Sequence, residues 1–208
     1  MQWRFPLCRR LAALLVVAAS LLPGLALAQE APDALVKRVS EEVLTLIKSD
    51  PQIQAGNQAR IREVIETKLL PHFDFKRMTA LAMGRNWRSA TPEQQERLTD
   101  EFRTLLVRTY SGAMTQYRNE TIDYKPLRMN PSDTEVVVRT AVNKQGGGAP
   151  IPIDYSMAKT PQGWKAYDVI VGGVSLVTNY RDEFNNTVQA SGVDGLIKQI
   201  AEKNRGGK

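Results

Sequence analysis

Along residues 33–49 the apolar side chains Leu35, Val36, Val39, Val43, Leu46 and Ile47 return every three or four positions, the period of an amphipathic helix, and Pro51 marks its end. The same spacing of Ile61, Val64, Ile65 and Leu69 predicts a second helix over 57–69, closed by Pro71. Asp74 is placed to cap a third, short helix over 75–83, with Gly84 as its stop. The clearest start signal follows. Thr91 stands at an N-cap, Pro92 at the first helical position and Gln94 where a capping box needs it. The helix opened there is predicted to run to about Tyr117, with Leu98, Phe102, Leu105, Leu106, Thr109, Ala113 and Tyr117 facing inward.

At Thr121 the pattern changes to alternation, and strands are predicted over 121–129, 135–143, 151–159 and 164–171. Pro126 weakens the first of these. Val136, Val138, Thr140 and Val142 fall on one face of the second strand, and Ile151, Ile153, Tyr155 and Met157 on one face of the third. The turns between successive strands are short, which requires antiparallel pairing. Gly172-Gly173 is read as the end of the sheet and a candidate hinge. A helix over 174–190 carries Val174, Val177, Tyr180, Phe184 and Val188 on one stripe, and Gly192 separates it from a last helix over 193–203. The predicted fold class is α+β, an antiparallel twisted sheet of about four strands with helices packed on one side.

The first 28 residues do not belong to this pattern. Arg4, Arg9 and Arg10 precede an apolar run from Leu11 to Leu22, which is shorter than the ~20 residues a membrane-spanning helix needs. Ala26-Leu27-Ala28 has the form of a cleavage site, so residues 1–28 read as a secretory signal peptide and 29–208 as one exported domain. Cys8 lies ahead of the apolar run, whereas a lipoprotein signal has its cysteine at the cleavage point, so no lipid anchor is expected. Removal of the segment leaves no cysteine, hence no disulfide and no thiolate metal site. It also takes the net charge from +6 to about +3, too little for a nucleic-acid footprint but suited to weak attraction toward anionic surfaces.

Catalytic motifs are missing. His72 is the sole histidine and reads as structural, no G-x-S-x-G elbow exists, and Gly146-Gly147-Gly148 lacks the Lys-Ser/Thr tail of a phosphate loop. Asp154 and Asp168 sit at alternating strand positions expected to face water. What remains is apolar surface: Val136, Val138, Ile153, Tyr155, Met157, Val169 and Val171 on the strands, and Leu81, Leu105, Leu106, Tyr110, Met114, Val174, Val177 and Tyr180 on the helices. These residues make either an ordinary core or the lining of a cavity between layers that do not fully close.

Three segments carry a resemblance to a known family. The run Tyr167-Asp168-Val169 followed by Gly173-Val174-Ser175-Leu176-Val177-Thr178-Asn179-Tyr180-Arg181 and Phe184 resembles the signature of the MlaC, or toluene-tolerance, family. Pro71-His72-Phe73-Asp74-Phe75 through Leu81, Gly84 and Trp87 resembles its earlier motif, and Gly192-Val193-Asp194-Gly195-Leu196-Ile197 its C-terminal one. The resemblance implies a periplasmic phospholipid carrier, monomeric and without cofactor, whose cargo is held by its acyl chains in an apolar cavity with the headgroup exposed. It implies partners at both membranes, an inner-membrane ABC transporter complex and an outer-membrane lipoprotein complex, in support of outer-membrane lipid asymmetry. The fifteen residues above are then the expected lipid-binding lining. Arg181 could touch a headgroup phosphate or pair with Asp182 or Glu183. An enzyme of the cone-shaped α+β type and a closed-core interaction module remain the alternatives.

Overall fold

The computed structural model describes residues 29–114, 120–144 and 146–206, with only the backbone of Ala113 and Met114. The expected signal peptide, the expected end of the fifth helix at Tyr117 and the Met114 side chain lie outside this description.

Helix α1 spans Pro32–Ser49 and buries Leu35, Val36, Val39, Val43 and Ile47, the stripe its periodicity defined. A single turn, α2 (Pro51–Gln54), follows, capped by the Asp50 carboxylate, which accepts from the backbone N–H groups of Gln52 and Ile53. Asn57 caps α3 (Gln58–Val64) in the same way. The expected helix over 57–69 is not uniform: at Ile65–Leu69 it widens into a π-turn, then tightens into a 3-10 turn at Leu70–His72. The change of winding brings Leu69 and Leu70 into the core although Pro71 forbids a further helical turn. Asp74 caps α4 (Phe75–Met83) through the N–H of Arg77. Helix α5 (Pro92–Met114) opens with the expected capping box: the Thr91 hydroxyl accepts from Gln94 N–H at 3.2 Å, and the Gln94 side chain accepts from Thr91 N–H at 3.0 Å. Leu98, Phe102 and Leu106 are buried along it, but Thr109 is exposed, and the half-buried Tyr110 carries the inward stripe instead.

The sheet is an antiparallel meander in the order β1 (Thr121–Tyr124), β2 (Glu135–Asn143), β3 (Ile151–Thr160), β4 (Gly163–Val171), β5 (Val174–Ser175). Strand β1 is shorter than its alternation suggested. Lys125 still donates to the Arg139 carbonyl, but Pro126 has no N–H and the ladder stops there. The larger correction concerns the C-terminal side. Val174 does not begin a helix. Gly172 and Gly173 adopt φ of 59° and 87°, the two left-handed residues of a tight hairpin, so the chain reverses and Val174 pairs with Val171 as a fifth strand. Helical structure resumes only at Thr178–Tyr180 and then in α6 (Arg181–Gly206). The Gly-Gly pair therefore closes a hairpin rather than hinging a strand against a helix. Within α6, Gly192 at φ 71°, ψ −178° divides the element where expected.

Cross-strand register gathers the inner face. Val142 stands opposite Ile151, Thr140 opposite Ile153, Val138 opposite Tyr155 and Val136 opposite Met157. A bulge between Ser156 and Met157 adds one residue on β4, so that Ala166 and Val169 both come onto this face, opposite Met157 and Tyr155. Without it the alternation would send one of them to the far side. Thr140, a polar side chain buried on this face, donates its hydroxyl to the Ile153 carbonyl at 2.8 Å and so carries no unmet hydrogen bond. The outer face carries Glu135 and Arg139, both exposed.

Candidate functional site

The apolar interior is built as clusters. Against the inner sheet face, where Val138, Met157, Trp164 and Ala166 are buried, lie Leu35, Val36 and Val39 of α1, with Leu69 and Phe73 packed alongside. A second cluster joins α4, α5 and α6 around Phe102, whose ring meets those of Tyr180 and Phe184 edge-on at 5.1 and 5.2 Å. A third joins the C-terminal half of α1 to α2, α3 and the π-turn through Val43, Ile47, Ile53, Ile61, Val64 and Ile65. Two residues tie them together. Phe73 packs on both the sheet cluster and the helical cluster, and Leu69 on both the sheet cluster and the third. Phe73 also pairs its backbone with Ala166 on the open edge of β4 and stacks on Phe75 at 5.8 Å, so its ring is fixed at the seam between the layers.

The expected lining divides between two of these clusters. Leu106 and Val177 are buried in the helical one, with Leu81, Leu105, Tyr110 and Tyr180 half-buried at its margin. Val138 and Met157 are buried in the sheet cluster, with Val136 and Tyr155 beside it. Val169 is buried, while Ile153 and Val171 are half-buried. Val174 is 55% exposed, because the hairpin lifts it away from both layers. The pattern did not single out Leu35, Val36, Val39, Leu69, Phe73 and Trp164 as part of this interior. The periodicity of the helical ones marked them as core, but only the packing of α1 across β2 shows that they face the strands.

The carboxylates weighed for catalysis have structural partners. Asp154 pairs with Arg139 at 4.0 Å. Asp168, expected to face water, is buried: its Oδ2 accepts from Ser175 Oγ at 2.7 Å, and its Oδ1 accepts from the N–H groups of Val169 at 2.8 Å and Val177 at 3.3 Å. Ser175 Oγ in turn accepts from Val177 and Thr178 N–H. One carboxylate and one hydroxyl thus satisfy the backbone where β5 passes into the 3-10 turn, a corner at which no ladder or helix can do so. Arg181 turns to a backbone carbonyl rather than to Asp182 or Glu183. Its Nε and one Nη donate to the Leu81 carbonyl at 3.2 and 3.0 Å, clamping α6 to the last turn of α4, where helix carbonyls have no internal partner. Glu183 is held by Gln199 at 3.0 Å and by Lys203. Among the described residues no three His, Cys, Asp or Glu side chains converge as a metal site. His72, on the 3-10 turn, is half-buried, and burial followed by the nearby Arg38 holds its pKa below the usual imidazole value.

Recesses open between these elements. One of about 620 Å³, lined by α3, the turn after it, the start of α4 and the outer side of α5, has Leu70, Phe75 and Val107 among its apolar residues and Arg62, Arg103 and Arg108 among its charged ones. That size lies within the ~300–1,000 Å³ of ordinary small-molecule sites. Among the described residues no helix is long and apolar enough to cross a membrane.

An antiparallel sheet backed by helices, with a largely apolar interior and a fixed aromatic at its seam, defines a protein of the α+β class built around an apolar core. The model of one family, "MlaC protein", matches residues 37–202, and the chain belongs to that family. It is similar to the toluene tolerance protein ttg2D of Pseudomonas putida, 26% identical over 195 residues and covering 90% of each chain. It is also similar to the intermembrane phospholipid transport system binding protein MlaC of Haemophilus influenzae, 22% identical over 189 residues, covering 90% of this chain and 88% of that one. Among solved structures, a phospholipid-binding protein from Ralstonia solanacearum in complex with a phospholipid superposes with a TM-score of 0.78 at 42% identity, covering 85% of this chain and 98% of that one.

Proposed function

We propose that this chain binds a phospholipid by its acyl chains and carries it through the periplasm between an inner-membrane ABC transporter complex and an outer-membrane lipoprotein complex, so maintaining outer-membrane lipid asymmetry. The observation that carries the reading is the likeness, over nearly the whole fold, to a phospholipid-bound structure at 42% identity. In this reading residues 1–28 are the export signal, cleaved after Ala28, and 29–208 are a single monomeric carrier domain.

The acyl chains lie between the inner sheet face and the helical layer, along the seam that Phe73 occupies. The expected lining on both layers, from Val136 and Tyr155 to Leu105 and Tyr180, flanks that seam. Two chains of about 15 methylenes would cost roughly 24 kcal/mol to expose to water, at ~0.8 kcal/mol per methylene. No lipid crosses an aqueous compartment unaided against such a barrier. A carrier abolishes it only if its interior is nearly as apolar as the bilayer, because loading and unloading must both be close to neutral. The inner face meets this condition: its buried polar group, Thr140, is already satisfied within the sheet. Met157 and Met78 at the two cluster centres can repack around chains of different lengths.

The test is native mass spectrometry of the protein purified without detergent, before and after incubation with phospholipid vesicles, followed by solvent extraction. A mass excess matching a phospholipid and lost on denaturation is the expected result. A protein that stays at its bare mass after vesicle treatment would refute the carrier reading and favour a closed-core interaction module.

A further inference from the structure

The recess between α3 and α5 has a feature that a simple surface dent does not require: its floor connects to every part of the core. Leu70 and Val107 pack against the cluster formed by α1 and α3, Phe75 packs against the helical cluster, and Phe75 stacks on Phe73, which reaches the sheet cluster. An apolar path therefore runs from the groove floor to the seam. Its rim is cationic. Arg62 and Arg103 project from facing helices and are exposed, Arg108 is anchored on the Asn204 carbonyl, and Glu66 is the one acid among the lining residues. The neighbouring arginine, Arg60, is occupied by Asp50 at 2.7 Å and Glu63 at 2.8 Å, so these two carboxylates are engaged with Arg60 rather than with Arg62. The wall that carries Glu66 and Leu70 is the π-turn and the 3-10 turn after it, an interruption of regular winding of the kind that recurs at functional positions.

We propose that this groove is the mouth through which the lipid enters and at which its phosphodiester headgroup rests, with Arg62 and Arg103 as its phosphate-binding residues. The inference rests on the carrier reading and adds the location and chemistry of the mouth. Guanidinium groups suit a phosphodiester because their fork of donors matches its oxygens, and at a half-open rim they need not be desolvated. The glycerol backbone then sits over Leu70 and Phe75, and the chains follow the aromatic pair inward.

The experiment uses the mature protein and vesicles containing a phosphatidylethanolamine with a benzophenone on its amine. After uptake and irradiation, adducts are mapped by peptide mass spectrometry. Adducts within residues 62–75 and 103–108 are expected. Adducts concentrated instead at the β4–β5 hairpin or beside β1, with uptake intact, would overturn the mouth while leaving the carrier reading in place. In parallel, R62E/R103E and the milder R62Q/R103Q are compared with K144E/K159E, which makes the same change of charge just past the end of β2 and near the end of β3. The first variant is expected to slow uptake from phosphatidylglycerol vesicles at least about tenfold, the second less, and the control little. Equal slowing in R62E/R103E and K144E/K159E would show general attraction to the vesicle and overturn the site. Soluble glycerophosphoethanolamine, which has the headgroup but no chains, is expected not to compete; competition at equal concentration would make the groove a free-phosphodiester site instead. Wild-type protein that takes up no lipid would overturn both proposals together.

Discussion

Replacing Asp168 by Asn changes one atom and removes one charge, yet the geometry around it leaves the amide nowhere to go. Ser175 Oγ accepts from Val177 N–H at 3.2 Å and Thr178 N–H at 2.9 Å, so both its lone pairs are used and its hydrogen must point at Asp168 Oδ2, 2.7 Å away. In D168N, a side-chain amide that keeps its carbonyl on Val169 and Val177 N–H aims its NH₂ at that hydroxyl, donor against donor. Flipped, it serves Ser175 but leaves the buried N–H of Val169 and Val177 facing an NH₂. Either way a charge-assisted bond of ~1.5–3 kcal/mol is lost and a buried donor goes unsatisfied at ~1–3 kcal/mol, a combined loss of about 3 kcal/mol. In urea, with a slope of ~2 kcal/mol/M, the unfolding midpoint of D168N should fall by about 1.5 M. A double-mutant cycle with S175A isolates the pair, because S175A removes the competing hydroxyl and should make the second change far less costly. A D168N midpoint within about 0.3 M of wild type would refute the claim that this carboxylate holds the β5 corner.

Other outcomes follow from equally specific contacts. Gly192 lies in a backbone region that only glycine occupies readily, so G192A should cost ~1–3 kcal/mol by urea titration. A Cβ on Gly195 would collide with Ser191 Oγ and Cβ, so G195A should destabilise by ~1–3 kcal/mol and S191G should largely rescue it; no rescue would mean that the crowding is not the cause. Truncating Phe102, fully buried between Tyr180 and Phe184, should cost ~3–5 kcal/mol, with near-ultraviolet circular dichroism reporting the loosened aromatic packing. His72 binds its proton more weakly folded than unfolded, so its contribution to stability is complete above the ordinary imidazole pKa near 6.5 and is lost as pH falls from there through the depressed folded value. H72N should therefore flatten the stability profile from pH 7 downward. The losses from Glu30 and Glu135, whose carboxyls are held low chiefly by hydrogen bonds from Arg38 and Arg77, begin only as pH falls into the ordinary carboxylate range, continue through the depressed folded values, and should persist in that variant.

Local physics determined much of this protein from sequence alone. Helix α1, the capping box of α5, the Asp74 cap and the bounds of β2 follow from periodicity and hydrogen-bond chemistry within a few residues, and the alternation on β2 and β3 fixed which side chains share the inner face. The MlaC-like run from Tyr167 to Phe184 carried the family. That run also misled, because Val174, Val177, Tyr180 and Phe184 are spaced like a helix stripe while the chain there is a hairpin, a corner and only then a helix. The tertiary structure decided what depends on contacts far apart in sequence. It buried Asp168, which alternation assigned to water, because the return of β5 covers it. It gave Arg181 the carbonyl of Leu81, 100 residues away, in place of a neighbouring carboxylate. It also set Phe73 at the seam and Arg62 opposite Arg103 across one groove. A sequence period reports which face of an element is apolar, but not which other face it meets, and a ligand's path through the core is made of those meetings.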